Sequence, residues 1–245
     1  MPSVSDQLAS QLADPAFDSA ELVSPDQLTD AERQQIPSWW LEAAVLDSAE
    51  AMEIAAAQWN LVLPGTFANS LELFRARSAG LHLARLGSDN SAVVLVYALH
   101  SGSVDVDVYP FVCWYADPPT EQLVSRLIDA ERLPEDVRLF YTRLHDSFQL
   151  AGFGSTGFIQ SNETFALDGD PDDFEYETDG VRRPDPTSLV SLLLSARGNL
   201  CIELKTGSDD DHATGWLAYD STLEDVGPLW NAFDDRIVEF CSPFD

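Results

Sequence analysis

Two hydrophobic periods alternate along this chain, and each switch between them marks a change of element. Residues 1–37 are polar, with Pro15, Pro25 and Pro37 separating short helical fragments. Residues 38–59, SWWLEAAVLDSAEAMEIAAAQW, are rich in Ala, Leu, Glu and Met. They predict one helix with Ser38 as its N-cap, closed behind by Pro64 and Gly65. The texture then becomes strand-like through LELFRA (71–76), LHLARL (81–86), AVVLVYAL (92–99) and VDVDVYPFVCWY (104–115). Gly80, Gly87 with Asn90, and Gly102 punctuate these runs as turns of an antiparallel meander. In the last run Val104, Val106 and Val108 alternate with Asp105 and Asp107, which puts one face in a core and the other in water.

After the two prolines of ADPPTEQ the period turns helical. Leu123, Val124, Leu127 and Ile128 form one stripe, and RLPEDVRLFYTRLHDSF follows. Pro134 suits a first helical position, Glu135 and Asp136 complement the positive end of a helix dipole, and Val137, Phe140, Tyr141, Leu144 and Phe148 make an apolar face. FIQSNETFAL (158–167) is strand-like, followed by the acidic stretch 168–180 and the apolar run TSLVSLLLSA (187–196). NLCIELKT (199–206) and GWLAYD (215–220) predict paired strands across the loop GSDDDHAT. A last helix carries Leu223, Val226, Leu229, Trp230, Phe233, Ile237 and Phe240, with Thr222 and Asp225 placed as in a capping box. No internal repeat is present. The expected organisation is an α+β chain with a polar extension at 1–37, a helix-plus-antiparallel-meander region at 38–117, and a mixed helix–sheet domain at 118–245.

Composition changes this picture through the sign of the charge alone. With 45% apolar residues the 245-residue chain has enough for real cores, and its 22% charged content is ordinary. Yet 42 acidic residues face 13 basic ones, giving a formal charge of −29. A field of that sign repels nucleic acid and anionic membranes, whose binding needs Lys or Arg against phosphates, and attracts cations and basic proteins. Adaptation to salt would also produce such a skew. Clustering points further: residues 168–179 hold seven acids, and Asp209, Asp210 and Asp211 add three. Cys113, Cys201 and Cys241 are odd in number, far apart and flanked by apolar residues, as buried thiols of a reducing compartment are. The first residues, MPSVSDQLASQLADPAF, lack the basic and apolar regions of a signal peptide, and no apolar run is long enough to span a bilayer. The expectation is a cytoplasmic chain that binds neither nucleic acid nor membrane.

Familiar chemistry is not indicated. GFGSTG (152–157) matches a dinucleotide fingerprint, but it sits between a predicted helix and a predicted strand, the reverse of the order that fingerprint needs. Asp168, Asp170 and Asp172 fall at the first, third and fifth positions of an EF-hand loop; Asp173 then replaces the turn glycine and Asp179 the bidentate Glu. His82, His100, His145 and His212 are scattered without a paired metal-ligand spacing, and no nucleophile or phosphate-loop motif occurs. No catalytic, metal or cofactor site is expected. Trp39, Trp40, Trp114 and Trp230 read as core, whereas Trp216, beside the 209–211 acids, could serve an interface.

Residues 118–245 resemble a SUKH domain, the superfamily of a yeast cell-wall-synthesis regulator and many bacterial immunity proteins. The features that carry the resemblance are the helix EQLVSRLIDAE running into LPEDVRLFYTRLHD, the strand pair LCIELKTGSDDDHATGWLAYDS, and the aromatic last helix VGPLWNAFDDRIVEFC. His145-Asp146 stands where that family commonly has Asn-Gly. The resemblance implies an α+β fold with a sheet packed against helices, no catalytic residues, and neutralisation of a cognate toxin domain by occlusion. The expected partner is a basic toxin, a nuclease being an attractive case. The expected contact residues are Asp168, Asp170, Asp172, Asp173, Phe174, Glu175, Tyr176, Glu177, Asp209, Asp210, Asp211 and Trp216. A regulatory scaffold using the same kind of module, or a calcium-binding acidic protein, are the alternatives.

Overall fold

The computed structural model describes residues 3–86, 92–101, 109–120, 132–152, 156–167, 174–176, 183–204 and 213–241. The valine alternation at 104–108, the helix expected at 123–128 and most residues of the acidic loops lie outside them.

The chain opens with α1 (Val4–Leu12), held by a capping box in which Ser3 and Asp6 satisfy each other's backbone N–H groups. A 3-10 turn (Pro15–Phe17) leads to β1 (Glu21–Val23), and another capping box, Thr29 with Glu32, starts α2 (Asp30–Gln35). The single helix expected over 38–59 is two, α3 (Ser38–Ala43) and α4 (Ser48–Val62). The cause is Asp47, whose carboxylate accepts from the N–H groups of Ala49 and Glu50, both at 3.0 Å. An N-cap that good restarts the helix and breaks the one before it.

The expected strand at 71–76 is instead part of α5 (Ala68–Arg77). Its Ser70, Leu71 and Phe74 are buried, a helical spacing that LELF alone is too short to declare. The meander then follows as expected, through β2 (Ser78–Leu86), β3 (Ala92–His100) and β4 (Phe111–Asp117), each antiparallel to the next.

Next, α6 (Glu135–Leu139) widens into a π-turn over Phe140–Leu144, closed by the His145 N–H donating to the Phe140 carbonyl at 3.0 Å. His145 leaves it extended, so Phe148, expected on the helix, lies on β5 (Ser147–Leu150). Gly152–Gly157 therefore joins two strands, β5 and β6 (Gly157–Phe158), and not a helix and a strand. Only glycine fits at 157, where φ is +126° and a Cβ would stand 2.4 Å from the Phe148 carbonyl oxygen.

The expected run 158–167 divides into the end of β6 and a separate β7 (Phe165–Ala166), both paired with β9 (Leu189–Leu194). The two-residue β8 (Glu175–Tyr176) comes between β7 and β9 in the chain. β10 (Asn199–Glu203) and β11 (Thr214–Tyr219) pair as expected, with Cys201 opposite Trp216.

Residues 222–228 are not the start of the last helix but β12 (Thr222–Pro228). Asp220 in the left-handed region (φ 50°) makes a tight hairpin turn with Thr222 opposite Tyr219, so Thr222 and Asp225 form ladder pairs and no cap. The helix α7 (Leu229–Cys241) begins only after Pro228.

The twelve strands among the described residues form one sheet in the order β1-β2-β3-β4-β5-β6-β9-β10-β11-β12-β8, with β7 beside β9. Neighbours are antiparallel except β12 and β8, which are parallel. The fold is α+β. The sheet passes through the 117/118 position by the pairing of β4 with β5, and one core cluster takes Trp40, Trp59 and Trp114 from one side of it and Phe148, Phe158 and Trp230 from the other.

That cluster fills the face on which α3–α7 pack. β3 shows why the opposite, far face is also covered: Leu95, Tyr97 and Leu99 join the helix-side core, while Val94, Val96 and Ala98 pack against Leu8, Leu12 and Phe17 of the N-terminal segment. Over β9–β12 the far face carries a smaller cluster of Leu189, Cys201, Trp216 and Leu223, overlaid by Leu167, Phe174 and Tyr176.

Candidate functional site

The acidic stretch meets the sheet at its middle. Phe174 and Tyr176 are half-buried against the far-face cluster, and Glu175 between them is exposed. This is strand alternation over three residues, with aromatic rings inward and the carboxylate outward. The Glu175 N–H donates to the Ser221 carbonyl at 2.7 Å, seating β8 as the outermost strand beside β12. Arg183 lies over the Tyr176 ring, 4.7 Å from its centroid, and the Tyr176 hydroxyl donates to the Pro184 carbonyl at 3.3 Å. A cation on an exposed ring contributes about 0.5–1 kcal/mol. The two aromatics, expected among the partner contacts, anchor the segment to its own sheet and remain half-exposed.

Trp216, also expected as a contact, lies deeper. It is 4% exposed and packs under Phe174 and Tyr176, so its ring presents no surface to another protein. Its side chain points to the far face because Cys201, opposite it in the ladder, does so too. Asp168, Asp170, Asp172, Asp173, Glu177, Asp209, Asp210 and Asp211 lie outside the described residues. The 209–211 acids belong to the β10–β11 connection, and β11 is two strands from β8 in the sheet.

A second constellation was not predicted from the sequence. His145 is fully buried, enclosed by the rings of Trp39, Trp40, Trp59, Tyr97, Phe140 and Phe148 at centroid distances of 5.7–6.3 Å. Its Nε2 is 3.0 Å from the Tyr97 hydroxyl, which accepts from Trp59 Nε1 at 2.9 Å. Burial pushes the imidazole down to about 3. The one local sign of it is the π-turn, a device frequent at functional positions but invisible in hydrophobic periodicity.

The remaining polar groups of the interior are structural. Asp136, at the start of α6, accepts from Trp230 Nε1 (2.8 Å) and from the Ala213 N–H (3.2 Å), joining α6 to α7 and β11. Asp234 of α7 accepts from the N–H groups of Asn69 (3.1 Å) and Ser70 (2.8 Å), capping α5 from across the core. At the β4–β5 seam Ser147 and Gln160 donate to Asp117, and the Ser161 N–H donates to Asp146. Burial, with the like charges of Asp117 and Glu163 adding to it, holds the Asp146 carboxyl above its ordinary value.

The thiols of Cys113 and Cys201 are pushed up to about 12 by burial and that of Cys241 to about 11, so all three stay protonated at neutral pH. Among the described residues no group of three or more His, Cys, Asp or Glu could hold a metal ion, and no helix is long and apolar enough to cross a membrane. An open groove of about 620 Å3 beside α4 and α5 is lined by Asn60, Leu71, Glu72 and Arg75, but the Arg75 guanidinium is committed to Glu53 at 2.7 Å.

Comparison with protein-family models, with curated proteins and with solved structures finds no match to this chain.

Proposed function

We propose that this protein is an immunity protein: a cytoplasmic, non-catalytic binder that neutralises a cognate toxin domain carrying a basic surface, by covering its active site. The observation that carries the reading is the seating of Phe174 and Tyr176 on the far face. They fix the middle of a stretch holding seven carboxylates at the outer strand of the sheet. A partner approaching that edge meets the exposed Glu175 carboxylate of this acid-rich stretch.

Such charge acts mainly on encounter. It raises association rates with a basic surface and loses that effect as salt screens it beyond about 10 Å at 0.1 M. Slow dissociation then comes from apolar contact, and a standard interface of about 1,600 Å2 suffices to cover a substrate cleft. A nuclease suits this chemistry, because the surface that tracks phosphates is basic and carboxylates can occupy it. The resemblance of residues 118–245 to SUKH domains supports the toxin-binding role.

The test is co-purification of the chain with the toxin domain encoded beside it, together with protection of growing cells from that toxin. Binding and protection together support the reading. A chain that neither binds nor protects contradicts it, and a gene neighbourhood without toxin or secretion genes moves the same module to a regulatory scaffold.

A further inference from the structure

The imidazole of His145 is placed so that only its neutral form fits. Trp59 Nε1–H can only donate, so it occupies a lone pair of the Tyr97 oxygen at 2.9 Å. No other acceptor for the Tyr97 hydroxyl lies among the described residues, so the arrangement that satisfies its proton gives it to His145 Nε2, 3.0 Å away, and places the imidazole proton on Nδ1. Nδ1 has no hydrogen-bond partner among the described residues, and neither does the buried indole N–H of Trp40. The groups packed on the ring are Trp39 and Trp40 from α3, Trp59 from α4, Tyr97 from β3, Phe140 from the π-turn and Phe148 from β5. Tyr97 alone among them titrates, and burial holds it protonated, so no neighbour offers a negative charge. A proton added to the imidazole would set Nε2–H against the Tyr97 hydroxyl and leave a cation with no acceptor at Nδ1. Ring faces attract a cation but do not replace its lost hydration.

The walls of this chamber are not equally strong. β3 and β5 are paired on both sides within the sheet, and α4 is fifteen residues long. α3 has six residues, too few to persist unaided, and two of its three buried side chains are the rings of Trp39 and Trp40 against His145. The turn that follows already exposes Val45 (67%) and Leu46 (38%).

We propose that the His145 chamber is an acid-sensitive latch: protonation of the imidazole releases α3 and the turn behind it, residues 38–47, while the strands stay paired. With the chamber shut, burial keeps the ring neutral down to about 3; with α3 off, water reaches one side of the ring and its proton affinity rises toward the ordinary value of 6.5. Seating of α3 is therefore complete above that value and weakens as pH falls below it, by about tenfold per pH unit. The opened latch uncovers Trp39 and Trp40 beside Val45 and Leu46, an apolar surface that the closed protein hides.

Hydrogen exchange of the full chain at pH 7.5, 6.0 and 5.0, corrected for intrinsic rates, tests this. Protection of residues 38–47 should fall about tenfold between pH 6.0 and 5.0, with β3 and β10 unchanged. In His145→Gln that protection should not vary with pH, while His82→Gln, which alters a half-buried imidazole elsewhere, should follow the wild type. Equal protection of 38–47 at pH 5.0 and 7.5 in the wild type overturns the latch, as does the same loss in His145→Gln or a uniform loss across the sheet. Should His145→Gln fail to fold, the wild-type imidazole resonances decide. A neutral ring wherever α3 is protected supports the latch, and an imidazolium inside a protected chamber overturns it.

Discussion

Over β2, β3 and β4 the far face of the sheet is covered by α1 and the turn after it; over β9–β12 it is covered by Leu167, Phe174 and Tyr176. The first cover is regular and satisfied. Leu8 and Leu12 are fully buried, and the Gln11 amide donates to the Phe111 carbonyl (2.8 Å) and accepts from its N–H (3.1 Å), pairing with the start of β4 as a strand would. Tyr115 donates to the Phe17 carbonyl at 2.9 Å. The second cover is half-exposed and held by two aromatic rings, a cation over one of them and a short parallel pairing. Beneath it the buried indole N–H of Trp216 has no partner among the described residues. The same task is thus done once by architecture and once by a charged segment lightly fastened to it.

The largest expected difference lies in truncation of each cover. Leu12→Ala should cost about 2–5 kcal/mol, the range for a fully buried leucine that leaves a cavity. Tyr176→Ala, at a half-exposed ring packed on the far-face cluster, should cost about 1 kcal/mol, a fraction of the roughly 1.5–3 kcal/mol for a fully buried large apolar side chain. Equal losses in urea unfolding would break the contrast.

Next in size is Gln11→Ala, which strands two backbone groups of Phe111 inside the first cover and should cost about 2 kcal/mol. Acid sharpens the contrast from another side. The Arg85 guanidinium, with hydrogen bonds from Thr29, holds Glu32 down to about 2, against an ordinary value of 4.5. A carboxylate depressed in the folded state stabilises it above the ordinary value, and that contribution disappears as pH falls from 4.5 toward 2. Glu32→Gln should remove this part of the pH dependence in acid titrations followed by circular dichroism. Smallest is Arg183→Ala, which removes the cation over Tyr176 and should shift stability by about 0.5 kcal/mol.

What the sequence disclosed follows from the range of each signal. β2, β3 and the β10–β11 pair were legible because alternation and turn residues are local, and the burial of the three cysteines followed from their apolar flanks. α5 was not, because its first N–H groups are capped by Asp234, 164 residues away at Ser70. β12 was mistaken for helix because Leu223 and Val226 fit a helical stripe that the Asp220 turn forbids. Phe174 and Tyr176 stood out among the acids, but that their rings face inward depends on Trp216 and Leu223 lying beneath them. The His145 chamber left no trace in the sequence, since its six rings come from five separate elements.

The most direct measurement is the association rate with the toxin domain proposed as partner, at low and high salt, for the wild type and for a variant with Asp168, Asp170, Asp172 and Asp173 all changed to Asn. Steering by the acidic edge requires a wild-type rate that falls steeply with salt. The variant should be slow and nearly salt-independent, with dissociation unchanged. A variant that associates as fast as the wild type at low salt, with the same salt dependence, would show that the acidic edge plays no part in capture.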